Sequence, residues 1–293
     1  MLGSFYKSLA GILGKENGNM FKDKVDKIIA SDDSELRKLQ LVILEIMKVI
    51  DQICRENDID YWVDAGTLLG ARRHGGFIPW DDDCDICMMR RDYNKFIQVV
   101  KDQLPDGLVY ENKDCKDWSQ KEVDLQPSFI KIFYLGHFSG FERASGLPCH
   151  GTFVDVFPMD PMNEKLIDSR MGRFMHKLSF FRKSKPTKLR DHVKIFLQNS
   201  GLEERWIAKC ARLEENGDAP YVVYGMDTPF MMREFMKKKE YIFPLTSIDF
   251  EGYEFKAPNN IHAYLEDLYG DYMKIPPEEE RVPHILDLKL EVK

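Results

Sequence analysis

The sequence predicts an α+β protein, a mixed sheet with flanking helices and an elaborated, largely helical C-terminal part. Three observations carry that expectation. From Ser34 to Asn57 the apolar residues Leu36, Leu39, Ile43, Ile46, Ile50 and Ile53 recur at the spacing that lines one face of a helix. Two apolar runs, Phe129–Leu135 and Phe153–Phe157, are separated by a glycine-bearing loop and read as strands of a mixed or antiparallel sheet. Helix-like sequence then dominates from Asn163 to Glu215. At 293 residues, 43% apolar and 12% aromatic, the chain can bury a sizeable core.

Taken in order, residues 1–33 are expected to form a helical N-terminal extension. Lys7 and the short run Ser8–Leu13 are followed by Lys15 and Glu16 without a cleavage pattern, which argues against a secretion signal; an interfacial helix stays open. Ser34 is the expected N-cap of the first long helix. Tyr61-Trp62-Val63 reads as a short strand, and Gly66–Gly70 as a turn entering a brief helix. Arg72–Gly76 is expected to be a basic, glycine-rich loop. After Pro79 and Trp80 an acidic cluster runs into the strand-like Ile86–Met89, and Asp92 is expected to cap a helix through Phe96 to Val100. The C-terminal part offers a strand at Tyr253–Lys256, a helix from Asn260 to Tyr269 and a proline-glutamate tail. The expected organisation is an N-terminal extension (1–33), a catalytic core (34–160) and a C-terminal elaboration completing the site (161–293).

A net charge of −7 argues against a general nucleic-acid binder, which needs a basic excess to displace counterions. No stretch approaches the roughly 20 apolar residues of a membrane-spanning helix. Six cysteines between positions 54 and 210 suit a reducing compartment better than a disulfide framework, so a cytoplasmic place is expected. Between Glu164 and Lys194 ten Lys or Arg face three Asp or Glu, a net of +7. With Phe174, Leu178, Phe180 and Phe181 among those charges, residues 165–194 are expected to lie against an anionic membrane or a polyanionic acceptor, unless they form an ordinary solvated helix face. The first option would put the protein peripherally at the inner face of the cell membrane.

The chemistry is carried by carboxylates. Side chains two apart on a strand share a face, with Cα atoms roughly 6.5 Å apart, so Asp83 and Asp85 can both reach one metal, while Cys84 and Ile86 face a core. Asp155 lies inside Phe153-Val154-Asp155-Val156-Phe157, where an unpaired charge would cost several kcal/mol, so it requires a partner. Hard oxygen ligands on strands suit Mg2+, or Mn2+, and phosphoryl transfer better than zinc chemistry. The bland alternative is that Asp81, Asp82, Asp83 and Asp85 form a solvated acidic turn. Gly66 and Thr67, just upstream, offer backbone amides and a hydroxyl that can cradle donor phosphates. Arg72 can grip a phosphate in two-pronged fashion or neutralise Asp81 and Asp82. Trp80 can stack on a base, face a quaternary ammonium, or simply anchor packing. Lys131, among Phe129, Ile130, Ile132 and Phe133, can meet a phosphate or snorkel to the surface. Cys84-x-x-Cys87 is a poor zinc motif, because on a strand its thiols point to opposite faces.

The run Asp64-Ala65-Gly66-Thr67-Leu68-Leu69-Gly70-Ala71-Arg72, followed by Gly76-Phe77-Ile78-Pro79-Trp80-Asp81-Asp82-Asp83-Cys84-Asp85-Ile86, resembles the signature of the LicD family, related to fukutin and its relatives. His150-Gly151-Thr152-Phe153-Val154-Asp155-Val156-Phe157-Pro158 is similar to its second block. Phe250-Glu251-Gly252, Tyr269-Gly270-Asp271-Tyr272 and Pro276-Pro277 are similar to its third. The resemblance implies a nucleotidyltransferase-like sheet that transfers phosphorylcholine or another phospho-alcohol from a cytidine diphosphate (CDP) donor to a cell-surface polysaccharide or its lipid-linked precursor, such as teichoic acid or lipopolysaccharide. It implies Asp83 and Asp85 as metal ligands, and Asp155 as a third ligand or as the base for the attacking hydroxyl. Gly66, Thr67, Arg72, Trp80 and Lys131 become donor-binding residues. The arginine that the family often carries two residues after the lysine is Phe133 here. Glu251 and His284 sit in family blocks without an assigned role. Two rival functions are nucleotidyl transfer from a nucleoside triphosphate and a catalytically inactive nucleotide- or glycan-binding module.

Overall fold

A computed structural model describes residues 20–111, 129–143, 146, 148–179, 188–198 and 200–291. Helix α1 (Glu35–Glu56) starts where expected, with the Ser34 hydroxyl accepting the Arg37 N–H at 3.2 Å. Its stripe Leu39, Ile43, Ile46, Ile50 and Ile53 is buried against the sheet. Strand β1 (Trp62–Val63) leads into helix α2 (Ala65–His74), which runs through the stretch expected to be a basic loop. The helix persists because its glycines serve packing rather than turning. A Cβ on Gly70 would stand 2.4 Å from the Gly76 carbonyl oxygen, and one on Gly66 would stand 2.8 Å from Asp81 Oδ2. The turn falls instead at Gly75, whose φ of 71° ends the helix in the left-handed region.

Strand β2 (Asp85–Met89) passes without a loop into α3 (Arg90–Gln103). Asp92 therefore sits inside the first turn, where its charge complements the helix dipole, and Met89 holds the cap position. Arg90 fixes this early start by pairing with Asp160 and Asp227 at 2.8 and 2.5 Å. Strand β3 (Leu108–Glu111) and the longer β4 (Ile130–Glu142) and β5 (Pro148–Met162) follow. Strand β5 is the spine of an eight-stranded mixed sheet: β2 runs parallel on one edge, while β4 and then β6 (Tyr221–Tyr224) run antiparallel on the other. Strand β7 (Lys237–Lys238) extends β6. The fold class is thus the expected α+β one.

Four helices follow β5: α4 (Glu164–Ile167), α5 (Arg170–Ser179), α6 (Leu189–Gln198) and α7 (Leu202–Glu215). They share a separate apolar cluster, including Leu166, Met175, Leu178 and Trp206, with Met162, Val223 and Met231. Leu178 is therefore a core residue and not part of a surface aromatic band. Phe180, Phe181, Arg182, Lys183 and Lys185 lie outside the described residues. After α8 (Lys239–Ile242), the hairpin β8 (Thr246–Phe250) and β9 (Tyr253–Ala257) and helix α9 (Ile261–Tyr269) bury Phe250, Phe255, Tyr264 and Leu265 in the main core. The proline-glutamate tail is not a tail. Its last part forms β10 (Ile285–Leu290), which pairs antiparallel with β4. No described helix is long and apolar enough to cross a membrane.

Candidate active site

Strand register assembles one row of charged side chains across four strands. Glu111 of β3 faces Lys131 of β4, Lys131 faces Asp155 of β5, and Asp155 faces Asp85 of β2. Directly opposed residues share a face, so all four project to the same side. Asp155 finds the partner its apolar setting demands in Lys131, whose Nζ lies 2.5 Å from Oδ1. Lys131 neither snorkels outward nor stands alone: its ammonium also rests 3.7 Å from the centroid of the Phe153 ring. Burial pushes the Asp155 carboxyl up to about 6, against the opposing pull of Lys131. Burial, then Asp83 and Asp155, push Asp85 well above the carboxylate range.

Asp83 precedes the strand in an extended segment that still pairs with β5, the Asp155 N–H donating to the Cys84 carbonyl at 2.9 Å. Exposure alternates as the spacing predicts, with Asp83 and Asp85 half-buried and Cys84 and Ile86 in the core. The preceding aspartates divide their work. Asp82 is buried, and its Oδ1 and Oδ2 accept the backbone N–H groups of His284 (2.9 Å) and Ile285 (2.6 Å), which pins the start of β10. That anchor delivers the His284 ring to the acidic run, with Nδ1 3.3 Å from Asp83 Oδ2 and 4.0 Å from Asp81 Oδ1. The hydrogen bond to Asp82 raises His284 to about 9, against burial. Burial and then Asp83 push Asp81 up to about 8. Asp81, Asp82, Asp83 and His284 form a group able to hold a cation, and no cysteine belongs to such a group among the described residues. Cys87 instead donates its thiol to Asp64 at 3.0 Å.

The other expected residues surround this row. Thr67 Oγ1 accepts the Asp85 N–H at 2.8 Å, tying α2 to the head of β2, and Gly66 leaves the space that Asp81 fills. Arg72 is exposed on the last turn of α2 and makes no ion pair among the described residues. Its neighbour Arg73 reaches across to the Tyr272 carbonyl at 2.9 Å. Trp80 is half-buried, with the Arg281 guanidinium 4.8 Å from its ring centroid. Two supporting carboxylates were not assigned roles from sequence. Asp64 is fully buried and accepts from Tyr224 Oη at 2.5 Å and Tyr264 Oη at 2.6 Å. A charge between buried Val63 and the following apolar helix was the available signal, the argument that already applied to Asp155. Glu251 grips Arg37 in two-pronged fashion (2.9 and 2.6 Å) and accepts the Phe77 N–H at 3.1 Å, so it fixes the loop leading to the acidic run.

A mixed sheet with aspartates heading one strand and a third aspartate on the parallel neighbour defines a nucleotidyltransferase-like domain. Residues 58–198 of the chain match the family described as LicD/FKTN/FKRP, nucleotidyltransferase domain. The lipopolysaccharide cholinephosphotransferase LicD of Haemophilus influenzae is 29% identical over 279 residues, covering 85% of this chain and 95% of that protein. An uncharacterised protein of Rickettsia prowazekii is 31% identical over 130 residues, 44% of this chain and 38% of that protein. The ribitol 5-phosphate transferase FKRP of Homo sapiens is 50% identical over 41 residues, only 14% of this chain and 8% of that protein.

Proposed function

We propose that the protein transfers a phospho-alcohol head group, phosphorylcholine first among them, from a CDP-linked donor to a cell-surface polysaccharide or its lipid-linked precursor. The observation that carries this reading is the direct opposition of Asp85 and Asp155 on parallel strands, with Asp83 two residues upstream on the same face. Near-complete coverage of the Haemophilus influenzae cholinephosphotransferase supports the same class of reaction.

The donor set fits a hard divalent cation. Asp81, Asp82, Asp83, Asp85 and Asp155 crowd a partly buried site that offers Lys131 and His284 as its positive charges, and several of these carboxyls are held above their usual range for want of compensation. Asp83, Asp85 and Asp155 would hold Mg2+ or Mn2+, which when bound supplies charge neutralisation to the donor diphosphate. The acceptor hydroxyl attacks the distal phosphorus as its bond to the bridging oxygen breaks, and cytidine monophosphate (CMP) leaves with that electron pair. Asp155, at about 6, is ionised at neutral pH, the state needed to hold a cation or to take the hydroxyl proton. Thr67 fixes the head of β2, while Gly66, Arg72, Trp80 and Lys131 face the donor. The reaction would take place at the cytoplasmic side of the membrane.

The test incubates purified protein and Mg2+ with a panel of CDP-alcohols and a lipid-linked glycan extract, and follows CMP release. CMP formation with one alcohol, dependent on both metal and acceptor, is the expected result. Pyrophosphate release from a nucleoside triphosphate would replace this reading with nucleotidyl transfer. No metal-dependent turnover with any donor would leave a binding module.

A further inference from the structure

We propose that the outward face of α5 and α6 is a docking surface for an anionic lipid membrane. Helix α6 is amphipathic the wrong way round for a solvated helix. Leu189, Val193 and Phe196, spaced i, i+4 and i+7, fall on one stripe, and they are 81%, 50% and 72% exposed. Leu197, at the flank of that stripe, packs against the second apolar cluster, while Leu189, Val193 and Phe196 remain exposed beside it. The neighbouring helix α5 repeats the pattern. Gly172, Met175 and Leu178 are buried, while Met171 and Phe174 are 47% and 41% exposed.

The charges around these apolar groups select the occupant. Arg170, Arg173 and Lys177 are exposed on α5. The acidic residues Glu164 and Asp168 are engaged by Arg233. A soluble polyanion would use the cations but leave Leu189, Val193 and Phe196 in water. A second copy would bring like charges together. A bilayer surface with anionic headgroups satisfies both features, with lysines and arginines at the headgroups and aromatic and aliphatic tips at the acyl boundary. A glycan acceptor carried on a lipid would be presented at that surface; the docking itself does not depend on the transfer reaction.

Co-sedimentation of the full chain with phosphatidylcholine vesicles, with and without phosphatidylglycerol, tests this. The wild-type protein is expected to bind the anionic vesicles, to bind neutral ones far less, and to weaken as salt rises. Val193→Ser with Phe196→Ser should lower binding about tenfold, and Arg170→Glu with Lys177→Glu by more, since each basic residue near such a surface is worth about fivefold. Melting temperatures of the variants should match wild type, because the substituted side chains face outward. The wild-type lipid and salt series needs no variant, so it judges the proposal even if a variant misfolds. Three results would overturn it: no binding of wild type to anionic vesicles, undiminished binding by the Val193/Phe196 variant, or a wild-type dimer in solution that this variant converts to monomer.

Discussion

Replacing Lys131 by Met keeps the aliphatic stem over the Phe153 ring and removes the ammonium that lies 2.5 Å from Asp155. Asp155 already sits at about 6 with that ammonium in place, above its ordinary value of 3.8 because of burial. A carboxyl raised in the folded state is an acid whose neutral form the fold prefers. Its contribution to stability is full below the unfolded value and is lost as pH rises through the folded one. In wild type that loss accumulates between about pH 4 and 6 and then stops. In Lys131→Met the folded value moves higher still, so the loss continues above pH 6 at about 1.4 kcal/mol per pH unit. Without metal the variant should therefore match wild type near pH 4, stay close at pH 6, and be about 3 kcal/mol less stable at pH 8. For a chain of this size that is a fall in Tm of about 6 °C. Thermal melts in chelator across this range measure the gap. A destabilisation of equal size at every pH would refute the coupling, and would mark Lys131 as a packing residue.

Asp85→Asn should lower transfer about a thousandfold, because charge neutralisation at the diphosphate is lost. Asp85 is raised by burial and by Asp83 and Asp155, so the substitution should also raise the metal-free Tm at pH 8, leave it unchanged near pH 4, and shrink the stabilisation by Mg2+; equal magnesium shifts in both proteins would remove Asp85 from the metal site. Arg72→Lys keeps the charge but loses the planar fork, so the donor KM should rise while the Tm holds, as suits an exposed side chain; parallel losses would mark it as structural. Gly70→Ala drives a Cβ to 2.4 Å from the Gly76 carbonyl oxygen and should destabilise by about 3 kcal/mol, read by denaturant unfolding; an unchanged midpoint would mean that α2 and its following loop can part freely.

Much of the site was legible because its grammar is local. A period of two puts Asp83 and Asp85 on one face and Cys84 and Ile86 in the core, and the exposure of those four residues follows it. A period near 3.6 predicted α1, and Ser34 its start. The improbability of a lone charge in Phe153–Phe157 required a partner for Asp155, although it could not say which. The glycines of α2 misled, because a glycine needed for close approach is written with the same letter as one needed for a turn.

What the sequence by itself determined, then, was the class of fold, the faces of its strands and helices, and the place of the acidic cluster at the head of β2. Only the tertiary structure decided that Glu111, Lys131, Asp155 and Asp85 stand in one row, and that Asp82 holds the backbone at His284, 202 positions away in the chain. It also turned the proline-glutamate tail into an edge strand, and gave Glu251 to Arg37. The physical reason is that a strand's own residues fix its period and its buried face. Its neighbour and register depend on which other apolar face and which opposite charge the whole chain can bring against it.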